Sequence, residues 1–238
     1  MENLIRKIIN LFEIKSKYRI VKKLKKIFST NIDIFFDVGG HHGETTIFLN
    51  KSFIINKTYI FEPSQESFRK LEKNIANLRK KSNLYIFNFA LGHETKNILL
   101  KQVRESSSST FHDFDESTAY FKRKNKILNF FNKKFFFVTK TAKIKNIQDF
   151  IKENNIKKID LMKIDTEGYE YYILEGLKEF IKNIKVIYFE HHYDLMIKKG
   201  YKFSDIHNLL LKFGFNKYFK EKMIFRKSFE YIYINSKN

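Results

Sequence analysis

The chain has 238 residues, 43% of them apolar and 30% charged, which suits one sizeable domain with its own core and leaves little room for a second. It contains no cysteine, so disulfides, thiolate metal ligands and a cysteine nucleophile are excluded, and no apolar run approaches the ~18 residues that span a bilayer. The net charge of +20 resembles a nucleic-acid footprint, but residues 1–30 carry +7 and residues 120–148 carry +9, leaving +4 for the rest. Scarce Ala, Pro and Trp beside abundant Lys, Asn, Ile, Phe and Tyr are also what A/T-rich codons produce, so compositional drift and a functional surface both stay open.

The first 30 residues lack the continuous apolar stretch and small-residue cleavage site of a secretory signal. Their spacing predicts two short amphipathic helices. Leu4, Ile5, Ile8, Ile9 and Phe12 share one face, and Ile20, Val21, Leu24, Ile27 and Phe28 share another opposite Lys22, Lys23, Lys25 and Lys26. Such helices cap a core or lie on an anionic membrane surface.

From residue 33 strands and helices alternate. Strands are predicted at 33–38, 58–61, 84–89, 159–164, 186–189, 215–220 and 229–234, and helices at 43–51, 64–80, 169–181 and 203–213. Ser64 is positioned to cap the second of these helices and Gly214 to end the last. This alternation implies parallel pairing and a three-layer α/β sandwich. Residues 92–148 interrupt it as a long irregular insert with Ser106–Ser109, a basic segment and an edge strand at 135–138, read as a substrate-side lid.

Chemistry-bearing residues fall at strand ends, where open α/β sheets bind ligands. After the first strand comes Asp37-Val38-Gly39-Gly40-His41-His42-Gly43. Its glycines allow a tight turn and close backbone approach, while Asp37 favours a cationic ligand group over phosphate. Glu62 ends the second strand and can accept from both hydroxyls of a ribose. Asp165 and Glu167 follow the apolar run 161–164 and face the same crevice. Glu190, His191 and His192 follow the fifth strand. They offer a general base, or a divalent-metal site formed by Asp165, Glu190 and His192.

In this order the motifs resemble the FkbM family of S-adenosylmethionine-dependent methyltransferases. The carriers are DVGGHHGETT (37–46), FEP (61–63), ALG (90–92), KIDTEGYEYYILEG (163–176) and EHH (190–192), over roughly residues 31–220. The resemblance implies the class I methyltransferase fold, a Rossmann-like sandwich whose seven-stranded, mostly parallel sheet has an antiparallel last strand. It implies S-adenosylmethionine as cofactor and O-methylation of a sugar, glycan or secondary metabolite. Carried over by position, Asp37, Gly39 and Gly43 would hold the methionine part and Glu62 the ribose. Asn88, Ala90 and Leu91 would lie near the adenine, and Glu167 between cofactor and acceptor. Asp165 and His192 are the candidate bases, with Glu190 beside them. The usual Ala-Asn is Gly40-His41 here, so any contact of that Asn side chain is missing. The expected organisation is therefore basic helices at 1–30 and a methyltransferase domain at 31–238 with its lid at 92–148. The expected location is cytoplasmic, with residues 1–30 able to touch the inner membrane face. A small-molecule or glycan acceptor is expected and no nucleic acid; the alternative is a basic nucleic-acid-binding or RNA-methylating protein on the same fold.

Overall fold

The computed structural model describes residues 2–79, 82–103, 109–119, 121–123, 126, 137–193, 196–223 and 227–236, with the side chains of 2–13, 103 and 137 excepted. A seven-stranded sheet forms the centre. Its strands are β1 (Asn31–Val38), β2 (Ile54–Phe61), β3 (Asn83–Phe87), β8 (Ile159–Ile164), β9 (Ile184–His192), β10 (Phe215–Lys222) and β11 (Ser228–Asn235). They lie in the order β10-β11-β9-β8-β1-β2-β3. Pairing is parallel from β3 through β9, and β11 runs antiparallel to both β9 and β10. This is the expected doubly wound sandwich. The chain order reverses direction between β2 and β8, on either side of β1, which makes the ends of β1 and β8 the topological switch point.

Strand side chains alternate between faces, and both faces are covered. On one, Phe36, Val38, Met162, Ile164, Ile187 and Phe189 belong to a core shared with α4 (Ile147–Glu153), α5 (Glu170–Leu177) and α6 (Phe203–Lys212). On the other, Ile32, Phe35, Leu161, Val186 and Ile232 pack with Leu49 of α2 (Glu44–Asn50) and with Ile20, Val21, Leu24 and Phe28 of α1 (Glu2–Phe28). The helix α3 (Gln65–Arg79) adds Leu71 and Ile75 beside Ile60 and Leu84.

Two expectations change here. The N-terminal segment is one continuous helix, α1 (Glu2–Phe28), not two, and its second half is core rather than appendage. The face at 20–28 that could have met a membrane is spent on the sheet. Among the described residues no helix is long and apolar enough to cross a membrane.

Nor are the described parts of the insert irregular. They form a second sheet of β4 (Ala90–Gly92), β5 (Lys96–Val103), β6 (Ser109–Thr110) and β7 (Phe137–Asn146), ordered β4-β7-β5-β6. The long β5–β7 ladder runs antiparallel from Lys96↔Ile144 to Val103↔Phe137. Leu100, Ala142 and Ile144 are buried, while the other face carries Thr139, Thr141, Lys143 and the exposed Leu99, so the ladder is amphipathic within a charge-rich stretch. Asn146 caps the unforeseen α4 by accepting from the backbone N–H of Gln148 and Asp149. Ser106–Ser108, residues 135 and 136 of the expected edge strand, and most of the basic segment at 120–136 lie outside the described residues.

Leu24 is fully buried between α1 and the sheet. Leu24→Ala should lower the unfolding free energy by about 2–5 kcal/mol in denaturant titration. A loss below about 1 kcal/mol would mean that α1 does not unfold with the core.

Candidate active site

A cavity of about 340 Å³ opens over the carboxyl ends of β1, β2, β8 and β9, within the usual range of small-ligand sites. Its floor depends on the glycine turn after β1. Gly39 and Gly40 both donate their N–H to the carbonyl of Phe61, at 2.9 Å. A Cβ on Gly39 would stand 1.9 Å from the Asp165 carbonyl, and one on Gly40 would stand 2.2 Å from Ile60. Only glycine lets the turn sit this low, and the backbone at 39–41 becomes part of the cavity wall.

Glu62 lines the same wall from the end of β2. One carboxylate oxygen accepts from the N–H of His41 and the other from that of Ser64, each at 2.8 Å. Burial pushes this carboxyl up to about 7, against the pull of those two N–H groups. Ala90 and Leu91 of β4 give the neighbouring apolar wall.

Lys163 of β8 is a residue to which the sequence pattern gives no role. It is buried, with Nζ 3.1 Å from Asp165 and 3.6 Å from Asp37. Burial favours the neutral amine, but the two carboxylates outweigh it and hold Lys163 above its ordinary range. It is therefore a fixed cation and not a base. Thr46 donates to Asp37 at 2.7 Å. Burial raises the Asp37 carboxyl against the opposing pull of Lys163. A lysine inside the apolar run 161–164 was a signal for such partners.

Asp165, Thr166 and Glu167 continue the wall. The turn they make is left-handed at Glu167 (φ 50°) and Gly168 (φ 108°). The buried Glu170 carboxylate holds it, accepting from Thr166 N, Thr166 Oγ1 and Gly168 N at 3.0–3.2 Å. From the second sheet, Thr110 Oγ1 donates to the Glu167 carbonyl at 2.8 Å, and Ser109 and Phe111 reach the cavity. The described end of the insert thus touches the site.

Strand β9 is longer than expected, so Glu190, His191 and His192 lie within it, paired with β11. Glu190 lines the cavity. His192 Nε2 lies 3.1 Å from Glu167 and 3.4 Å from Glu190. It contacts these two wall residues and is not itself among those that line the cavity. His191 turns the other way, against Tyr193, Tyr201 and Phe203.

Three further expected site residues stand off the lining of the cavity. Asp37 is fully buried behind the wall, holding Thr46 and Lys163. Gly43 faces Leu71 and Ile75 of α3. Asn88 fastens the turn after β2 by donating to the Glu62 carbonyl at 2.9 Å. The expected metal set is not assembled either, because the cation beside Asp165 is Lys163. Among the described residues, the donors that converge closely enough for one ion are His41, His42 and Glu44 on the glycine turn.

The sequence reading missed the far wall altogether: Lys17, Tyr188, Met223 and Glu230. Glu230 accepts from Tyr188 Oη and, at 3.3 Å, from Ser16 Oγ. Burial raises its carboxyl, opposed first by the Tyr188 hydrogen bond. These partners are more than forty residues from Glu230 in sequence, beyond the reach of local pattern.

Lys163→Met should cost about 3–5 kcal/mol of stability at pH 8 by leaving Asp37 buried without its cation. The deficit should narrow at pH 5, because the unpaired Asp37 carboxyl takes up a proton. Equal deficits in denaturant titrations at both pH values would show that the ion pair is not what the substitution removes.

Comparison with known proteins places this cavity in a family context. The profile of the methyltransferase FkbM domain matches residues 37–217. Methyltransferase 1 of Beauveria bassiana (strain ARSEF 2860) is 26% identical over 147 residues, 60% of this chain and 57% of that protein. The chain therefore spans little more than half the length of this relative. The crystal structure of an FkbM methyltransferase from Methylobacillus flagellatus KT aligns with TM-score 0.54 and 14% identity, over 85% of this chain and 44% of that one. Magnesium protoporphyrin IX methyltransferase of Synechocystis PCC 6803, crystallised with bound SAM, aligns with TM-score 0.54 and 10% identity, over 98% and 85%. At these identities the structural likeness is one of fold.

Proposed function

The chain belongs to the FkbM methyltransferase family, and from that premise we propose that it transfers a methyl group from S-adenosylmethionine to a hydroxyl oxygen of a small-molecule or glycan acceptor. The observation that carries this reading is a single cavity at the switch point, with Glu62 at one end and Asp165, Glu167 and Glu190 toward the other.

The residues present suit the cofactor. Each Glu62 oxygen spends one lone pair on a backbone N–H and keeps another for a ribose hydroxyl. Bare backbone at Gly39-Gly40 and the apolar pair Ala90-Leu91 supply a polar and a flat apolar surface beside it. Bound there, S-adenosylmethionine would supply a methyl already activated on a sulfonium. The protein's remaining work is to align the acceptor and take its proton. Asp165 is on the wall at the switch point, and the ammonium of Lys163, 3.1 Å away, orients it. It is the carboxylate placed to accept the acceptor proton, a contribution of about 10²–10⁴-fold for a weakly acidic hydroxyl. His192 steadies Glu167 and Glu190 beside it.

The basic segments would favour the RNA-methylating alternative, but the cavity does not. Its wall carries Glu44, Glu62, Asp165, Glu167, Glu190 and Glu230 against Lys17 and Lys163, a lining that disfavours phosphate. We read the location as cytoplasmic.

S-adenosylhomocysteine at ~100 times its Kd should add about 2.7 kcal/mol, and each kcal/mol should raise Tm by roughly 2–4 °C at this size. NAD should give no rise. Absence of a shift at saturating S-adenosylhomocysteine, on folded protein, would remove the cofactor assignment. Because ribose hydroxyls bind the ionised form of Glu62 better, calorimetric affinity for S-adenosylhomocysteine should increase from pH 6 to pH 8. In Glu62→Gln the pH dependence should vanish and binding weaken, by about tenfold or more for a charge-assisted hydrogen-bond pair. Asp165→Asn should lower kcat by about 10²–10⁴-fold with cofactor affinity nearly unchanged. Near-normal turnover would clear Asp165 of the proton-accepting role.

A further inference from the structure

The family match ends at residue 217 and begins at residue 37, yet the cavity does not. Lys17 of α1, Met223 and Glu230 of β11 complete its wall from outside the matched span. They stand over β9 and β11, on the opposite side of β1 and β8 from Glu62. Four strand spacings of about 4.8 Å separate β2 from β11, so the two ends are about 19 Å apart. With the ribose end at Glu62 and the reacting centre near Asp165, the space beneath α1 is left for the acceptor.

Glu230 is built into that space. It is register partner of Glu190 and shares its face with Tyr188, two residues back along β9. Tyr188 and Ser16 each donate to a different oxygen of its carboxylate. Both donors are themselves buried. Each oxygen retains a lone pair, and the residue lines the cavity. A carboxylate fixed this way accepts hydrogen bonds and donates none.

Resting on the methyltransferase reading above, we propose that Glu230, oriented by Tyr188 and Ser16 and roofed by Lys17, is the residue that selects the acceptor. It binds a second hydroxyl of an uncharged polyhydroxyl acceptor while another hydroxyl reaches Asp165. The N-terminal helix is thus part of the acceptor site, and the specificity of this chain lies in residues outside the matched span 37–217. A phosphorylated acceptor meets Glu230 and Glu190 as like charge.

The test is transfer of labelled methyl from S-adenosylmethionine to two sets of acceptors. One holds methyl hexosides and methyl 6-deoxyhexosides; the other holds hexose 6-phosphates and total RNA. Label should enter the uncharged set. Glu230→Gln should lower kcat/KM at least tenfold, mainly through KM, with S-adenosylhomocysteine affinity within twofold of wild type. Tyr188→Phe and Ser16→Ala, which keep the carboxylate but loosen it, should raise KM by a few fold and serve if Glu230→Gln does not fold. Label in the phosphorylated set or RNA, wild-type KM in all three variants, or no label in either set from protein that binds S-adenosylhomocysteine would each overturn the assignment. Failure of the wild type to bind S-adenosylhomocysteine would instead strike the methyltransferase reading beneath it.

Discussion

The buried ammonium of Lys163 is the constraint around which the site is arranged. A lysine at the centre of a parallel sheet is costly to dehydrate and persists only with partners. Asp37 on one neighbouring strand and Asp165 at the end of its own supply them. The arrangement follows from strand periodicity. Phe35, Leu161 and Val186 form an apolar layer under α1, and two residues further along the same face stand Asp37, Lys163 and Tyr188. On antiparallel β11 the step runs backward: Ile232 pairs with Tyr188, and Glu230, two residues earlier, pairs with Glu190 one step further toward the strand ends. The helix obeys the same layering, with Leu24 and Ile20 over the apolar row and Ser16 and Lys17 near the polar one. One helix thereby closes both the core and the cavity.

This layering explains what was legible in the sequence. Parallel strands announce their ends, because an apolar run stops at a carboxylate or a glycine. Asp37, Glu62, Asp165 and Glu190 were therefore found at one edge of the sheet without coordinates. Whether each faces a ligand or stands behind the wall depends on side-chain direction within a turn. Local pattern could not assign that for Asp37, Gly43, Asn88 or His192. The ladder of β5 and β7 was hidden because the stretch is so rich in lysine that it reads as solvated loop. Ser16 and Glu230 are 214 residues apart, and neither position is unusual until the fold joins them.

A protein of net charge +20 thus encloses an acidic cavity. The two are compatible because exposed cations are screened by water, while Glu62, Glu190 and Glu230 are buried in the cavity wall. The global charge speaks to solubility and nonspecific association; the cavity wall speaks to what enters. For acceptor chemistry the wall is the better guide.

The two ends of the cavity solve the same problem with different materials. Glu62 and Glu230 are both buried carboxylates with raised pKa, and each is held by two donors. At the cofactor end the donors are backbone N–H groups of His41 and Ser64. At the acceptor end they are side-chain hydroxyls of Tyr188 and Ser16. Substitution cannot remove a backbone amide, except by proline, so the geometry at Glu62 tolerates changes such as Gly40-His41 in place of the usual pair. A hydroxyl is lost by a single substitution. The fixed end therefore suits the ligand that every member would share, and the replaceable end suits the one that would differ.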